Sequence, residues 1–342
     1  MPSRLGKLTR ALSRFVPAGL VRPFGGPAAL LFHGVEPCTD DGRVQTNHHE
    51  IGDFVQIVRT LKRHFQLLPL AALGDVLEHP ERHRHSVFLT SDDGYANALT
   101  VAADLLEEER VPWTVFVSTH HIDTGERSPM FLARLFFHYG PAGVHDIPGL
   151  GQIVLGDTDE RTHQAGPALD RLRLMDGAQA SGALAAMLGA FPDDALKRLL
   201  ARFSSERFLS WSQIADLKRR GVGIGAHAHH HWGMNARQTP EFLYQEARQS
   251  RRRIEEEVGP CPYFAYPYGN TQDVSREAWR AVRDAGYDYA FTTLSGTLDA
   301  SLNNYLLPRF SLGPNRAGLP SLVPLLRAAN PRLARWQRAI AG

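Results

Sequence analysis

The chain has 342 residues, of which 43% are hydrophobic and 22% are charged, a composition typical of a globular protein with a large buried core. Its formal net charge of +2 is too small to indicate a nucleic-acid partner, and no basic block is interleaved with aromatic residues. Cys38 and Cys261 are too few for a disulfide framework. Because neither a signal peptide nor an apolar span of about 18 residues is evident, we expect a cytoplasmic location.

Residues 1–27 are predicted to form a basic amphipathic segment, in which leucines recur at helical spacing between arginines and lysines. A basic helical tail with the same character is predicted for residues 313–342, where Trp336 and Ile340 alternate with arginines. Peripheral attachment of these ends at the inner face of a membrane is one interpretation. The other is that both helices pack on the rest of the protein.

Between residues 28 and 312, short apolar runs alternate with amphipathic patterns. Their length and their β-branched or aromatic content predict buried strands at Ala28–Phe32, Val87–Thr90, Thr114–Val117, Val222–Gly225, Tyr263–Tyr266 and Tyr289–Thr292. Apolar residues at spacings of three and four predict helices at Asp53–His64, Ala96–Glu109, Ser212–Arg220, Pro240–Val258 and Ser275–Ala285. Such alternation predicts an α/β fold built on a parallel sheet.

Residues 120–207 interrupt this alternation. They contain clusters of Gly, Pro and Asp and helical patches at Met130–His138 and Ala195–Phe203, without a clear strand pattern. We predict that this segment is a helical insertion over the mouth of the barrel. Both a lid that sets specificity and a peripheral elaboration are consistent with the pattern.

Polar residues follow four of the predicted strands directly, at His33, Asp92-Asp93, His227 and Pro267-Tyr268. Because the carboxyl ends of parallel strands meet at one edge of the sheet, we expect these side chains to converge. His227 and His231 are four residues apart, and one Asp with two His leaves a divalent metal open to water, as catalytic sites require. The second Asp of the pair is then available for another role.

Three motifs in this order resemble those of a known family. Ser91-Asp-Asp-Gly94, His227–His231 and Phe264–Gly269 are similar to the first three motifs of polysaccharide deacetylases, the NodB-homology domain of carbohydrate esterase family four. Phe32–Val35 and Leu307–Arg309 further resemble its permuted branch, which includes poly-N-acetylglucosamine deacetylases. The resemblance covers residues 28–312 and implies a catalytic domain folded as a distorted (β/α) barrel of about seven strands.

The resemblance also implies an activity, the removal of an N-acetyl group from an amino sugar in a cell-surface polysaccharide or its lipid-linked or oligosaccharide precursor. It assigns a divalent metal, with zinc expected, to Asp93, His227 and His231. The catalytic groups would be Asp92 as the base, His33 as the acid, the Tyr268 backbone N–H at the oxyanion, and Arg309 orienting Asp92. The sequence makes no prediction of oligomeric state.

Each assignment has a structural alternative. The adjacent aspartates can be a helix cap, His33 a core histidine, Arg309 a surface ion pair, and Pro267-Tyr268-Gly269 only a turn. A shifted register with His229 as a metal ligand also stays open. Departures from the family pattern at Ser91 and Trp232, and the lack of an Arg just before Pro267, leave the substrate open. The alternative functions are hydrolysis of a non-sugar amide and a metal-retaining but inactive carbohydrate-binding relative.

Overall fold

A computed structural model describes residues 26–314, 336–337 and 339–340. Residues 1–25, which make up nearly all of the predicted basic N-terminal segment, lie outside the described residues, as does most of the predicted tail. The described strands are β1 (Ala28–Phe32), β2 (Gly34–Glu36), β3 (His48–Glu50), β4 (Gln66–Leu67), β5 (Ser86–Ser91), β6 (Trp113–Val117), β7 (Gly143–Ile147), β8 (Gly151–Leu155), β9 (Gly223–Ala226), β10 (Tyr263–Ala265), β11 (Tyr289–Phe291) and β12 (Phe310–Ser311).

A parallel sheet forms the centre of the fold. Seven of the described strands lie side by side in the order β11-β10-β9-β6-β5-β1-β12, and β4 also pairs with β5. The curved sheet and its surrounding helices form a half-barrel, which confirms the predicted distorted (β/α) barrel. All six strands predicted from the sequence are present within a residue or two of their expected bounds.

The helices also follow the predicted pattern. Within the described residues they are α1 (Ile51–His64), α2 (Leu73–Glu78), α3 (Asp104–Glu108), α4 (Thr119–Thr124), α5 (Pro129–Tyr139), α6 (Thr158–Arg173), α7 (Gly177–Gly189), α8 (Asp193–Arg202), α9 (Trp211–Arg219), α10 (Pro240–Val258) and α11 (Arg276–Asp284), with 3₁₀ turns at Leu70–Ala72 and Ser204–Glu206. The helix predicted at Ala96–Glu109 differs, because it starts as a π-helix over Ala98–Ala103 before α3.

The sheet is covered on both faces, because alternate residues of its strands enter different hydrophobic cores. In β5, Val87 and Leu89 pack with the outer helices, whereas Phe88 faces the barrel interior together with Phe116 and Phe291. This double burial explains why the strands read as continuous apolar runs.

Residues 120–207 contain α4 to α8 and, in addition, an antiparallel hairpin of β7 and β8 that the sequence did not predict. One face of the hairpin is open to solvent yet carries apolar residues, with Val144 63% exposed, so its strands lack the alternation of apolar and polar residues that predicts a half-buried strand. A second hydrophobic core, separate from those of the barrel, lies mainly among the residues of this segment.

The described residues near the end of the tail, 336–337 and 339–340, pack on the barrel. The Trp279 indole donates a hydrogen bond to the Ile340 carbonyl at 3.1 Å, and the Gln337 amide donates to the Leu306 carbonyl at 2.8 Å. The Ile340 side chain belongs to the main hydrophobic core. These contacts favour the packing interpretation for this part of the tail. No helix among the described residues is long and apolar enough to cross a membrane.

Candidate metal and catalytic site

The three predicted metal ligands converge at the carboxyl edge of the sheet. Asp93, His227 and His231 are all buried, and one ligand atom from each lies within 4.8 Å of the others. The Asp93 Oδ1 atom is 2.9 Å from His231 Nε2 and 3.4 Å from His227 Nε2. One carboxylate and two imidazoles form a donor set that fits zinc and other divalent transition metals.

The hydrogen bonds of His227 and the charge of Asp93 also suit a metal. His227 Nδ1 lies 2.7 Å from the Ala265 carbonyl, which can only accept, so Nδ1 carries the proton and Nε2 presents its lone pair to the site. Burial would raise the pKa of Asp93, but His231 and His227 outweigh it and hold that pKa well below its ordinary value. The site therefore offers an ionised carboxylate and at least one imidazole in the tautomer that binds metal.

The backbone around these ligands is unusual. Asp93, His231 and Tyr268 have positive φ angles of 73°, 60° and 60°, and Ala228 has 60°. For residues with a side chain this left-handed conformation costs energy, and it persists where the surrounding fold imposes it. At Asp93 it turns the chain sharply, so that the two adjacent carboxylates reach different partners.

Asp92 is held by Arg309. The guanidinium donates to both carboxylate oxygens at 2.7 Å, and its other hydrogen bonds go to Thr90 Oγ1 and the Thr292 carbonyl, each at 3.1 Å. Burial alone would raise the pKa of Asp92, but Arg309 and His227 together hold it below its ordinary value. Arg309 is fully buried, which contradicts the alternative that it forms a surface ion pair.

The predicted acid and oxyanion groups face the same cavity. A cavity of about 310 Å³ is lined by both aspartates, both metal-site histidines, His33 and Tyr268, with Arg134 entering from α5. Burial lowers the pKa of His33, so its protonated form is a stronger acid than an exposed imidazolium. No described residue accepts a hydrogen bond from the Tyr268 N–H, and its phenol donates to the His231 carbonyl at 3.3 Å.

Two structural alternatives for the motif residues find no support. Neither aspartate caps the following helix, since the residue before Ala98 is Asn97 and no side chain there forms a capping hydrogen bond. His229 is hydrogen-bonded to Thr119 and groups with His120 and His230, apart from the Asp93 cluster.

Thr90 and Arg134 are among the residues of the site that were not predicted from the sequence. Thr90, which supports Arg309, lies two residues before Asp92 on a predicted strand, and the two-residue period of strands was a signal that could have found it. Arg134 lines the cavity from the segment 120–207, and only the tertiary fold brings it there.

The polysaccharide deacetylase family model matches residues 79–290, more than half of the chain. The chain therefore belongs to the polysaccharide deacetylase family, whose activity is hydrolytic deacetylation. This agrees with the family resemblance of its motifs.

Solved structures share the fold. A Streptococcus pyogenes deacetylase, PplD, determined in complex with acetate, aligns with 15% identity and a TM-score of 0.57 over 89% of this chain and 99% of its own. IcaB from Ammonifex degensii aligns with 15% identity and a TM-score of 0.53 over 92% and 97%. A de-N-acetylase from Aggregatibacter actinomycetemcomitans aligns with 14% identity and a TM-score of 0.55 over 88% and 100%. No curated protein sequence matches the chain significantly.

Proposed function

We propose that this chain is a metal-dependent hydrolase that removes an N-acetyl group from an amino sugar of a cell-surface polysaccharide, or of its lipid-linked or oligosaccharide precursor. The observation that carries the proposal is the division of labour between two adjacent buried carboxylates. Asp93 faces two histidines, whereas Asp92 is held by Arg309 on the same cavity. A site that only bound metal and sugar would have no need of the second carboxylate.

Asp93, His227 and His231 would hold the divalent metal, for which zinc best matches the donor set. When bound, such a metal lowers the pKa of water and polarises a carbonyl oxygen. Asp92 then accepts the proton of the attacking water, a role worth about 10²- to 10⁴-fold in rate. Arg309 serves this step by keeping Asp92 ionised and fixing the direction of its oxygens.

The remaining groups act on the two ends of the amide. Attack of the water oxygen on the acetyl carbon places negative charge on the carbonyl oxygen, and the Tyr268 N–H is free to donate to it. His33 donates a proton to the sugar nitrogen as the C–N bond breaks. The products are acetate and the free amine.

The test compares Asp92→Asn with Asp93→Asn on a panel of N-acetylated oligosaccharides, lipid-linked sugars and non-sugar amides. Asp93→Asn should lose metal and activity together, whereas Asp92→Asn should retain the metal and lose about 10²-fold or more in turnover. Mass spectrometry identifies the product by loss of an acetyl group, and elemental analysis counts the metal. His163→Ala, at an exposed position on α6, is the matched control.

Equal metal content in the two aspartate variants would contradict the division of labour. If only the non-sugar amides are turned over, the proposal of an amino-sugar substrate is refuted, while the proposal of a metal-dependent hydrolase stands. If the protein binds the sugars but turns over none of the compounds, the alternative of an inactive carbohydrate-binding protein is favoured. The cytoplasmic location and the peripheral membrane contact are further proposals, which fractionation of cells expressing the full chain tests.

A further inference from the structure

A second cluster of histidines lies beside the first site and has no role in the proposed reaction. His120 lies in α4, while His229 and His230 lie between the first-site ligands. One ring nitrogen of each lies within 4.8 Å of the others. The ring centres are 4.3 Å apart for His229 and His230, 4.6 Å for His120 and His230, and 5.5 Å for His120 and His229.

Each of these imidazoles has one nitrogen fixed by a hydrogen bond and keeps the other available. The fixed contacts are His120 Nε2 to Glu126 at 3.1 Å, His229 Nδ1 to Thr119 at 2.7 Å and His230 Nδ1 to Glu246 at 2.5 Å. Histidines that bind metals are held in the same way, because a hydrogen bond at one nitrogen orients the ring and sets its tautomer. The three rings are therefore held in place by hydrogen bonds, as the rings of metal-binding histidines are.

Glu246 fixes the backbone of the cluster as well as one ring. This carboxylate is almost fully buried on α10, and it accepts hydrogen bonds from the backbone N–H groups of His229 at 3.0 Å and His230 at 2.8 Å. With Glu126 it places two negative charges next to the three imidazoles. Two carboxylates around three neutral ligands balance the charge of one divalent cation.

A metal would have access to this cluster from solvent. His120 and His230 line a cavity of about 560 Å³, whose remaining wall comes mainly from apolar residues of the segment 120–207. A tetrahedral metal with bonds of about 2.0–2.1 Å needs ligand nitrogens about 3.4 Å apart, and since the nitrogens lie within 4.8 Å of one another, the rings must close by at most about 1.4 Å. The partly exposed His120 and His230 have room for such a movement.

We propose that His120, His229 and His230 form a second site for a divalent transition metal, independent of the Asp93 site. An all-imidazole set favours zinc, copper or nickel over magnesium or calcium. Three protein ligands would leave a tetrahedral metal one position for water or another small ligand. The metal would join α4 to the loop that carries the first-site ligands, so its binding should stabilise the folded protein.

The experiment counts metal ions in the full chain. Metal-free wild type is titrated with Zn²⁺ by calorimetry and then analysed for metal after dialysis, and we expect two ions per chain. His120→Ala, His230→Gln and their double variant should bind one, Asp93→Asn should also bind one, and His163→Ala should keep two. The melting temperature of Asp93→Asn should still rise with added Zn²⁺, and this rise should vanish when His120→Ala is added.

Copper identifies the chemical type of the ligand atoms by spectroscopy. In Asp93→Asn loaded with one Cu²⁺, electron paramagnetic resonance should show coupling to imidazole nitrogens, and this spectrum should be lost when His120→Ala and His230→Gln are added. A single ion in the wild type that is lost in Asp93→Asn, a second ion that survives the His120/His230 double variant, or a Cu²⁺ spectrum without nitrogen coupling would each overturn the proposal. A failure to find the second ion would leave the proposed deacetylase site unaffected. The proposal of a second metal site and the proposed function can therefore be refuted independently.

Discussion

Replacement of Arg309 by methionine tests the arrangement on which the proposed base depends. The substitution keeps much of the side-chain volume and removes four buried hydrogen bonds, two of them to Asp92. Removing one partner of a buried ion pair costs about 3–5 kcal/mol, because the other charge stays buried and uncompensated. We expect Arg309→Met to lower the free energy of unfolding by about this amount, measured by urea denaturation.

The same substitution should change the pH dependence of turnover. Burial raises the pKa of Asp92 once the guanidinium that opposes it is gone. The base is then protonated over more of the acid range, so the acid limb of the rate profile should move to higher pH. Turnover at neutral pH should fall by about 10²-fold or more, with the metal retained.

A double-mutant cycle separates the ion pair from packing. Asp92→Asn combined with Arg309→Met leaves no buried charge at this position, so the double variant should be more stable than the sum of the two single losses predicts. Arg309→Lys keeps the positive charge but cannot form the bidentate hydrogen bonds to Asp92, so its turnover should lie between those of the wild type and Arg309→Met. Additive losses in the cycle, or reduced turnover with an unshifted pH profile, would refute the reasoning.

Three further predictions follow from other residues. His33→Ala should retain the metal and slow hydrolysis of the sugar amide far more than that of an aryl acetate, whose leaving group needs no proton; equal losses on both substrates would make His33 structural. Burial lowers the pKa of His48, but its ion pairs with Glu206 and Glu36 together outweigh this and raise the pKa from 6.5 to about 9. The stability that these two ion pairs contribute is fully present below pH 6.5 and is lost as pH rises through about 9, a decrease of about 3 kcal/mol in the free energy of unfolding. Urea denaturation should detect this decrease in the wild type and not in His48→Gln. Gly94→Ala should lower the free energy of unfolding by about 1–3 kcal/mol, because φ there is +83° and a Cβ would lie 2.9 Å from Val117; an unchanged melting temperature would contradict this.

The barrel could be predicted because its strands are buried on both faces. Runs such as Ala28–Phe32 are apolar throughout, and the polar residues that follow them mark the edge where a site must lie. The hairpin of β7 and β8 was missed because its exposed face carries residues such as Val144 and Val154, so the apolar pattern does not alternate.

The site could be predicted only in part. The sequence paired Asp92 with Arg309 through the family resemblance, and the structure places them 2.7 Å apart, although their catalytic roles stay predictions. The positive φ angles at Ala228 and Tyr268 have no signal in the sequence, since neither residue type favours that conformation. The hydrogen bond from the His229 N–H to Glu246 likewise could not be predicted, because a glutamate within a helix is ordinarily exposed to solvent. Tertiary packing alone brings this carboxylate to the loop that carries His229.

The separate hydrophobic core of the segment 120–207 bears on how substrate reaches the cavity. Met130 and Arg134 of α5 form part of the cavity wall, while the side chain of Met130 packs in that second core. Cooperative units with their own cores open at a lower free energy than the whole protein. Amide hydrogen exchange should therefore detect local opening of this segment while the amides of β5 and β9 stay protected. One wall of the cavity would then open locally, and the wall that carries the proposed metal ligands would remain folded.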